Sequence, residues 1–352
     1  MCTDLRLVRL TDLHVSGRTL DFAFELGSQV RVVPRGQEWK ATTTATATAG
    51  AVAPLQWSNA LGFVAMDAFG FDGYFADGLN EAGLSVGTLW LPETSLPTTP
   101  PTTGDAPSLD FINLAGWLLG TCRTVADVKA ALGRVQVWNA PVRDLWPAGK
   151  AVPAQIAPLM DWAFTEHLAV HDAHGGDLVV EFLDGIAHVH DNVVGVLTNS
   201  PTYDWHVTNL RNYIGLTNVE DQAYNLMGMP VKGTGNGTGL IGLPGDVTPP
   251  SRFVRATVLS QVVTDAASPR EAVNQVFHSL DLVSVPRHLA ASGDYTQWYV
   301  VRDHDSLVYY VRSYDGWTTD VHDLAALGVA ATGSPSTLPL PSAAGPLPAP
   351  QP

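Results

Sequence analysis

Residues 162–197, WAFTEHLAVHDAHGGDLVVEFLDGIAHVHDNVVGVL, carry the pattern that decides the fold. Four short runs rich in apolar and β-branched residues, 162–171, 177–183, 186–190 and 193–197, alternate with turn signals such as Ala173-His174-Gly175-Gly176 and Asp184-Gly185. Links this short join antiparallel neighbours, because a parallel pair needs a crossover of about a dozen residues or more. Upstream, 5–10, 30–33 and 61–65 read as strands. Residues 76–90 read as a hairpin, with turn letters at Asp77-Gly78 and at Asn80-Glu81-Ala82-Gly83. Residues 109–119 form an apolar helix. A second helix follows, capped by Thr124, with Asp127 completing a capping box and Val125, Val128, Ala131 and Leu132 on its apolar stripe. Downstream, one helix runs over 251–264. Another starts at the cap Ser268, with Pro269 in its first turn and Glu271 three after the cap. A last hairpin pairs 297–302 with 307–312. Runs of strands alternating with pairs of helices predict an α+β protein built from antiparallel sheets.

Composition narrows the function. Of 352 residues, 45% are hydrophobic, enough for a sizeable core, and 19 Lys and Arg against 34 Asp and Glu give a net charge of −15. A chain that acidic repels phosphate backbones and anionic lipid, which argues against nucleic acid and membrane partners. No run of 18 apolar residues is present, and the N-terminus lacks the layout of a leader peptide, so the expected location is cytoplasmic. Cys2 and Cys122 are the two cysteines, too few for a disulfide framework. The glycine-rich run 233–239 lacks the lysine of a phosphate loop. His188 and His190 have no obvious carboxylate or cysteine set around them, so a solvent-facing pair is expected rather than a zinc site. Three stretches break the pattern. Residues 41–54 are almost entirely Thr, Ala, Gly and Val and read as a loop or loose hairpin, and 92–105 are broken by prolines. Residues 333–352 hold seven prolines and read as a flexible tail behind a domain spanning 1–332.

Cys2 is the most informative residue. Were Met1 removed, one residue would carry both a thiol and a free α-amine, titrating at about 8.5 and about 7.7–8.0. The amine then takes the thiol proton, and covalent geometry aligns nucleophile and base with little entropy lost. By position alone an early buried cysteine is the favoured reading of Cys2. Gly17-Arg18-Thr19-Leu20-Asp21-Phe22 places a cation and a carboxylate three apart. Asp21 is suited to orient a terminal amine, and Arg18 to favour thiolate; a surface ion pair at a turn is the plainer alternative. Asn199, before Ser200-Pro201, has an amide able to donate to an oxyanion, or simply to cap a turn.

Taken together, these residues resemble the choloylglycine hydrolase family, the conjugated bile salt hydrolases and penicillin V acylases of the N-terminal nucleophile (Ntn) hydrolases. The resemblance runs from about Cys2 to Asp320. It rests on Met1-Cys2-Thr3, Gly17 to Phe22, Asp77-Gly78-Leu79-Asn80-Glu81-Ala82-Gly83-Leu84, the block from Leu197-Thr198-Asn199-Ser200-Pro201 through Leu210, and Gly242-Leu243-Pro244-Gly245-Asp246 through Ser251-Arg252-Phe253. It implies a four-layer αββα sandwich of two antiparallel sheets between helical layers. It implies linear amide hydrolysis without metal or cofactor. Cys2 would be the nucleophile, Asp21 would hold its amine, Arg18 would sit by the thiol, Asn199 would donate to the oxyanion, and Arg252 would be a second active-site arginine. The family's variable oxyanion position falls at Trp90, where bile salt hydrolases typically carry Asn and well-known penicillin V acylases Tyr. An indole does not replace the Asn amide, so the Trp90 backbone N–H is the better donor, and an aromatic wall suits a phenoxyacetyl or fatty-acyl group. Asn80 more plainly fixes its hairpin. The expected activity is penicillin V acylase-like, with an N-acyl homoserine lactone or a conjugated bile salt as alternatives, and an inactive binding protein on the same fold as the alternative of another class. The resemblance also implies a homotetramer, with the excursion 212–239 contributing contacts.

Overall fold

The computed structural model describes residues 1–42, 50–71, 73–146, 149, 151–154, 156–220 and 223–341. Two large antiparallel sheets face each other. The first has six strands, in the order Val196–Leu197, Cys2–Arg6, Val15–Phe22, Tyr295–Asp303, Val308–Ser313 and Asp320–Asp323. The second has eight, in the order Ile186–Asp191, Asp177–Leu183, Glu166–His171, Ser85–Trp90, Phe75–Asn80, Phe63–Asp67, Val30–Val33 and Ser336–Leu338. Helix Phe111–Thr121 covers the second sheet across Phe75–Asn80 and Ser85–Trp90. Helices Pro249–Val262 and Pro269–Asp281 cover the first, over Cys2–Arg6, Val15–Phe22 and Tyr295–Asp303. The layers run α, β, β, α. Helix Val125–Leu132 carries the full capping box of Thr124 and Asp127, and Ser268 accepts from the Glu271 N–H. Such caps are worth about 0.5–2 kcal/mol each.

The central strand of the first sheet is Val15–Phe22, and the sequence pattern hides it. Ser16, Gly17, Arg18, Thr19 and Asp21 look like a turn, yet the strand is buried along nearly its whole length between two neighbours. Gly17 shows why a small residue stands there. A Cβ at Gly17 would lie 2.5 Å from Val276 Cγ1 and 2.8 Å from the Val300 carbonyl oxygen, so helix Pro269–Asp281 packs directly onto backbone. Asp77-Gly78 also departs from expectation. Both lie inside strand Phe75–Asn80, and the turn is made by Glu81–Leu84, with Gly83 at φ 79°. Asn80 organises that turn: its Oδ1 accepts from the Ala82 and Leu84 N–H groups, and its Nδ2 donates to the Leu119 and Cys122 carbonyls.

The Pro-rich end differs from a wholly free tail over its first residues. Ser336–Leu338 pairs antiparallel with Val30–Val33 as an edge strand, and Leu338 and Leu340 pack against the core. A proline-rich segment fits this place because an edge strand leaves one row of N–H groups out of the ladder. Residues 342–352 lie outside the described residues, as do 43–49 of the Thr/Ala stretch, which is bordered by the paired strands Glu38–Lys40 and Gln56–Ser58.

Candidate active site

Strand register builds the site. Cys2 pairs with Leu20 and Asp4 with Arg18, and directly opposed residues point to the same face of a sheet. Cys2, Asp4, Arg18 and Leu20 therefore face the second sheet, while Thr3, Thr19 and Asp21 face the helical layer. Strand Val196–Leu197 pairs Leu197 with Asp4, so extending the register by two residues brings Asn199 opposite Cys2.

On the sheet-facing side, Arg18 is wholly buried and its Nη2 donates to Cys2 Sγ at 3.4 Å. The same guanidinium donates to the Ala76 and Thr88 carbonyls and lies 3.8 Å from Asp77 Oδ2. Burial works against its charge, but Cys2 and Asp77 outweigh that and hold it protonated. A fixed cation at the sulfur favours thiolate. Behind it runs a buried ionic cluster. Arg302 bridges Asp77 Oδ2 (3.3 Å) and Asp4 Oδ2 (2.6 Å). His171 lies between Asp4 Oδ1 (2.6 Å) and Asp177 Oδ2 (3.2 Å), and Tyr309 donates to Asp77 Oδ1 (2.9 Å). Gly87 leaves room for it: a Cβ there would stand 3.1 Å from Asp77 Oδ2 and 3.4 Å from both Arg18 and Asp4. Asp4, Asp77, His171 and Arg302 are not legible in the sequence as a group, because they are scattered from one end of the chain to the other.

On the helix-facing side, Arg252 reaches out of the first turns of Pro249–Val262, fully buried. Its Nη1 donates to the Cys2 carbonyl and to Thr3 Oγ1, both at 2.5 Å, and its Nη2 to Asn199 Oδ1 at 2.8 Å. Asp21 Oδ1 accepts from Thr296 Oγ1 at 2.6 Å. Asp21 Oδ2 lies 3.8 Å from Arg252 and has no hydrogen-bond partner among the described residues. Burial pushes the Asp21 carboxyl up, opposed by Arg252, the chain's terminal ammonium and Thr296.

Asn199 is the hinge between the two sides. Its Oδ1 accepts the Cys2 N–H at 2.8 Å, and its Nδ2 donates to the Trp90 carbonyl at 2.8 Å. Leu91 N–H donates to Thr165 O, so the next pair, Trp90 with Glu166, is not hydrogen-bonded in that ladder. The N–H and C=O of Trp90 therefore point off the strand on the side where Asn199 sits. The indole Nε1 is committed to Thr165 Oγ1 at 2.8 Å, and the ring is 39% exposed at the cavity mouth. His206, which no local pattern singled out, donates from Nε2 to the Asn199 carbonyl at 2.8 Å and stacks on Phe253 at 4.6 Å. Burial pushes its pKa down to about 4, so it stands neutral as a prop for Asn199.

Met1 occupies the approach to Cys2. Its terminal nitrogen donates to the Asp21 carbonyl at 2.6 Å and pairs with Asp294 at 3.4 Å. The cavity at the thiol, lined by Phe22, Phe69, Tyr74, Trp90, Trp162 and Glu166 among others, has a volume of about 20 Å³, room for little more than a water. An outer cavity of about 210 Å³ shares Met1, Phe22, Trp90 and Trp162 with it. Met1 is part of the wall between them. His188 and His190 lie on the outer strand Ile186–Asp191, the first exposed and the second half-buried. Among the described residues no helix is long and apolar enough to cross a membrane.

A cysteine second in the chain, with an arginine on its sulfur and an Asn, Asp and Arg around its backbone, in an αββα frame, defines an Ntn amide hydrolase. The chain belongs to the choloylglycine hydrolase family of linear amide C–N hydrolases, whose model matches residues 2–332. It is 30% identical over 327 residues to a bile salt hydrolase/transferase of Clostridium perfringens, covering 90% of each chain. It is 26% identical over 322 residues to a penicillin V acylase of Pectobacterium atrosepticum, covering 86% of this chain and 74% of that one. Among solved structures, a variant of the conjugated bile acid hydrolase from Clostridium perfringens superposes with a TM-score of 0.79 at 27% identity, over 97% of this chain and 98% of that one.

Proposed function

We propose that the chain, once freed of Met1, hydrolyses linear amides through the thiol and α-amine of Cys2. The observation that carries this is the arrangement around Cys2: Arg18 on the sulfur, and Asn199, Arg252 and the half-satisfied carboxylate of Asp21 around its backbone. The freed α-amine takes the thiol proton, and the sulfur attacks the amide carbon. Asn199 Nδ2 and the Trp90 N–H donate to the oxyanion. The ammonium returns its proton to the leaving nitrogen as the C–N bond breaks, leaving a thioester on Cys2. Water, deprotonated by the same amine, then releases the acid. Asp21 Oδ2, without a hydrogen bond while Met1 is attached, accepts from the new amine and orients it.

Acyl groups suited to the site are bulky and apolar, because Phe22, Phe69, Trp90 and Trp162 line the two cavities. The relatives reorder the expectation from sequence. A conjugated bile salt becomes the first substrate to try, supported by the 30% identical relative, and penicillin V the second, supported by the aromatic wall with Trp90 in place of Asn. A panel of glycodeoxycholate, penicillin V and a long-chain acyl homoserine lactone, scored by amine released, tests this. Turnover of none of them would favour an inactive binding protein. Cys2→Ala is expected to remain folded and lose turnover at least a thousandfold; retained activity removes the nucleophile assignment. We further propose a homotetramer, supported by exposed Ile214, Val219, Leu226, Met227 and Met229 in the excursion 212–239. Sedimentation as a 37.5 kDa species at micromolar concentration would refute it.

A further inference from the structure

The cavity at Cys2 has largely aromatic and aliphatic walls, and besides Cys2, Arg18, Asp21 and Thr88 it is lined by a carboxyl that amide cleavage does not require. Glu166 lines it and is 8% exposed. Its Oε1 accepts from Tyr74 Oη at 2.7 Å. Its Oε2 is buried and has no hydrogen-bond partner among the described residues. Tyr74 Oη also lies 3.3 Å from Thr88 Oγ1, and the Thr88 carbonyl accepts from Arg18, so the carboxyl belongs to the inner wall next to the nucleophile. An orphaned carboxyl oxygen in a buried cavity wall loses its hydration with nothing in exchange, which is unfavourable until a ligand donor meets it. Burial pushes the carboxyl above its ordinary range, against the pull of Tyr74, Arg18 and the Thr88 hydroxyl, but protonation alone supplies no hydrogen-bond acceptor for the second oxygen. A ligand does.

We infer that Glu166 is a specificity-determining residue that selects acyl groups carrying a hydroxyl, through a hydrogen bond to its unpartnered Oε2. This rests on the amide hydrolase reading above and sharpens its substrate class from apolar acyl groups to hydroxylated ones. A hydroxyl suits the site in either protonation state. It donates to a carboxylate, and to a protonated carboxyl it both donates and accepts. A bare hydrocarbon leaves the oxygen unpaired, and an ether has no donor for a carboxylate and can only accept from a protonated carboxyl, so each makes fewer hydrogen bonds there than a hydroxyl, which is the situation in which polar sites discriminate most strongly. An acidic group on the acyl chain would meet a like charge.

The test compares glycine conjugates of a hydroxylated acid and of its O-methyl ether, on a steroid and on a phenylacetyl scaffold, in wild type and in Glu166→Gln. Gln keeps an oxygen for Tyr74 and puts an NH2, a donor, where Oε2 stands. The readout is the hydroxyl-to-ether preference, so steric effects of the added methyl cancel between the two proteins. On at least one scaffold the preference in kcat/KM is expected to fall about tenfold or more in Glu166→Gln. The same ratio, read as Kd by titration calorimetry on Cys2→Ala protein with and without Glu166→Gln, exists whether or not turnover occurs. Loss of turnover by wild type on every amide would overturn the hydrolase reading alone. Preferences that agree within twofold between Glu and Gln on both scaffolds would overturn the role of Glu166. Glu166→Asp, which keeps the carboxyl but withdraws it by one carbon, gives a second measurement if the Gln protein does not fold, with the preference expected to move in the same direction.

Discussion

The two faces of strand Cys2–Arg6 solve the same problem in opposite ways. Towards the second sheet, Asp4, Asp77 and Asp177 meet Arg18, Arg302 and His171, three carboxylates against three cations when His171 is protonated. That side is a closed mount, finished before any substrate arrives. Towards the helices, Arg252 and Asn199 already hold the Cys2 backbone, yet Asp21 Oδ2 lacks a hydrogen bond and Met1 lies on the approach. On the proposed mechanism, cutting the Met1–Cys2 peptide bond completes that side. The difference teaches where rigidity and where assembly are invested: the sulfur's cation is fixed by folding, and on the proposed mechanism the carboxylate of Asp21 meets its amine only after Met1 is removed.

The largest expected effect breaks the waiting side. Turnover should track the fraction of chains lacking Met1, read by intact mass, and extrapolate to zero at full retention. Activity in chains that keep Met1 would separate the α-amine from the chemistry. Next in size is a break in the closed mount. Arg302→Met removes the cation shared by Asp4 and Asp77 and leaves two carboxylates facing each other in the interior. Truncating one partner of a buried ionic set costs about 3–5 kcal/mol, so urea unfolding should show a loss of that order. A loss under 1 kcal/mol would mean that water or rearrangement covers the two carboxylates.

How legible these faces were in the sequence follows from how each is encoded. Cys2, Arg18, Asp21 and Asn199 sit in short local blocks whose chemistry could be read from the residues, Arg252 was reached only through the family resemblance, and the antiparallel character of the sheets was readable from hairpin-length links. The closed mount has no local block. Asp77 looked like a turn residue because Asp-Gly is a turn pair, and only the neighbouring strands and Gly87 show that it is core. Val15–Phe22 went unread as a strand because its polar residues face two occupied layers rather than solvent, which erases the alternation that marks a half-buried strand. Ser336–Leu338 was hidden by the prolines around it, although an edge position tolerates them.

The pH response sharpens the comparison on the closed side. The carboxylates Asp4 and Asp177 outweigh the cost of burial and push His171 up to about 9, with neutral His304 as its ring neighbour at 6.1 Å. In the unfolded chain a histidine titrates at about 6.5. The folded pKa is the higher one, so this contribution is fully present below about 6.5 and is lost as pH rises through about 9. Urea midpoints should fall between pH 7 and pH 9.5 in the wild type and stay flatter in His171→Gln, whatever that variant's absolute stability. Equal slopes would show that His171 is not the group responsible.

The smallest effect belongs to the waiting side. Thr296→Val removes the hydroxyl that donates to Asp21 Oδ1, a contact that holds the carboxyl down against burial. Hydrogen bonds to charged groups are worth about 1.5–3 kcal/mol, which corresponds to about one to two pKa units. Without it Asp21 takes up its proton at higher pH and no longer pairs with the Cys2 ammonium there. The acidic limb of kcat/KM in the processed enzyme should then move up by about one unit, with the plateau changed much less. A depressed plateau with an unmoved limb would instead assign Thr296 to packing, and Asp21 to a role that its ionisation does not govern.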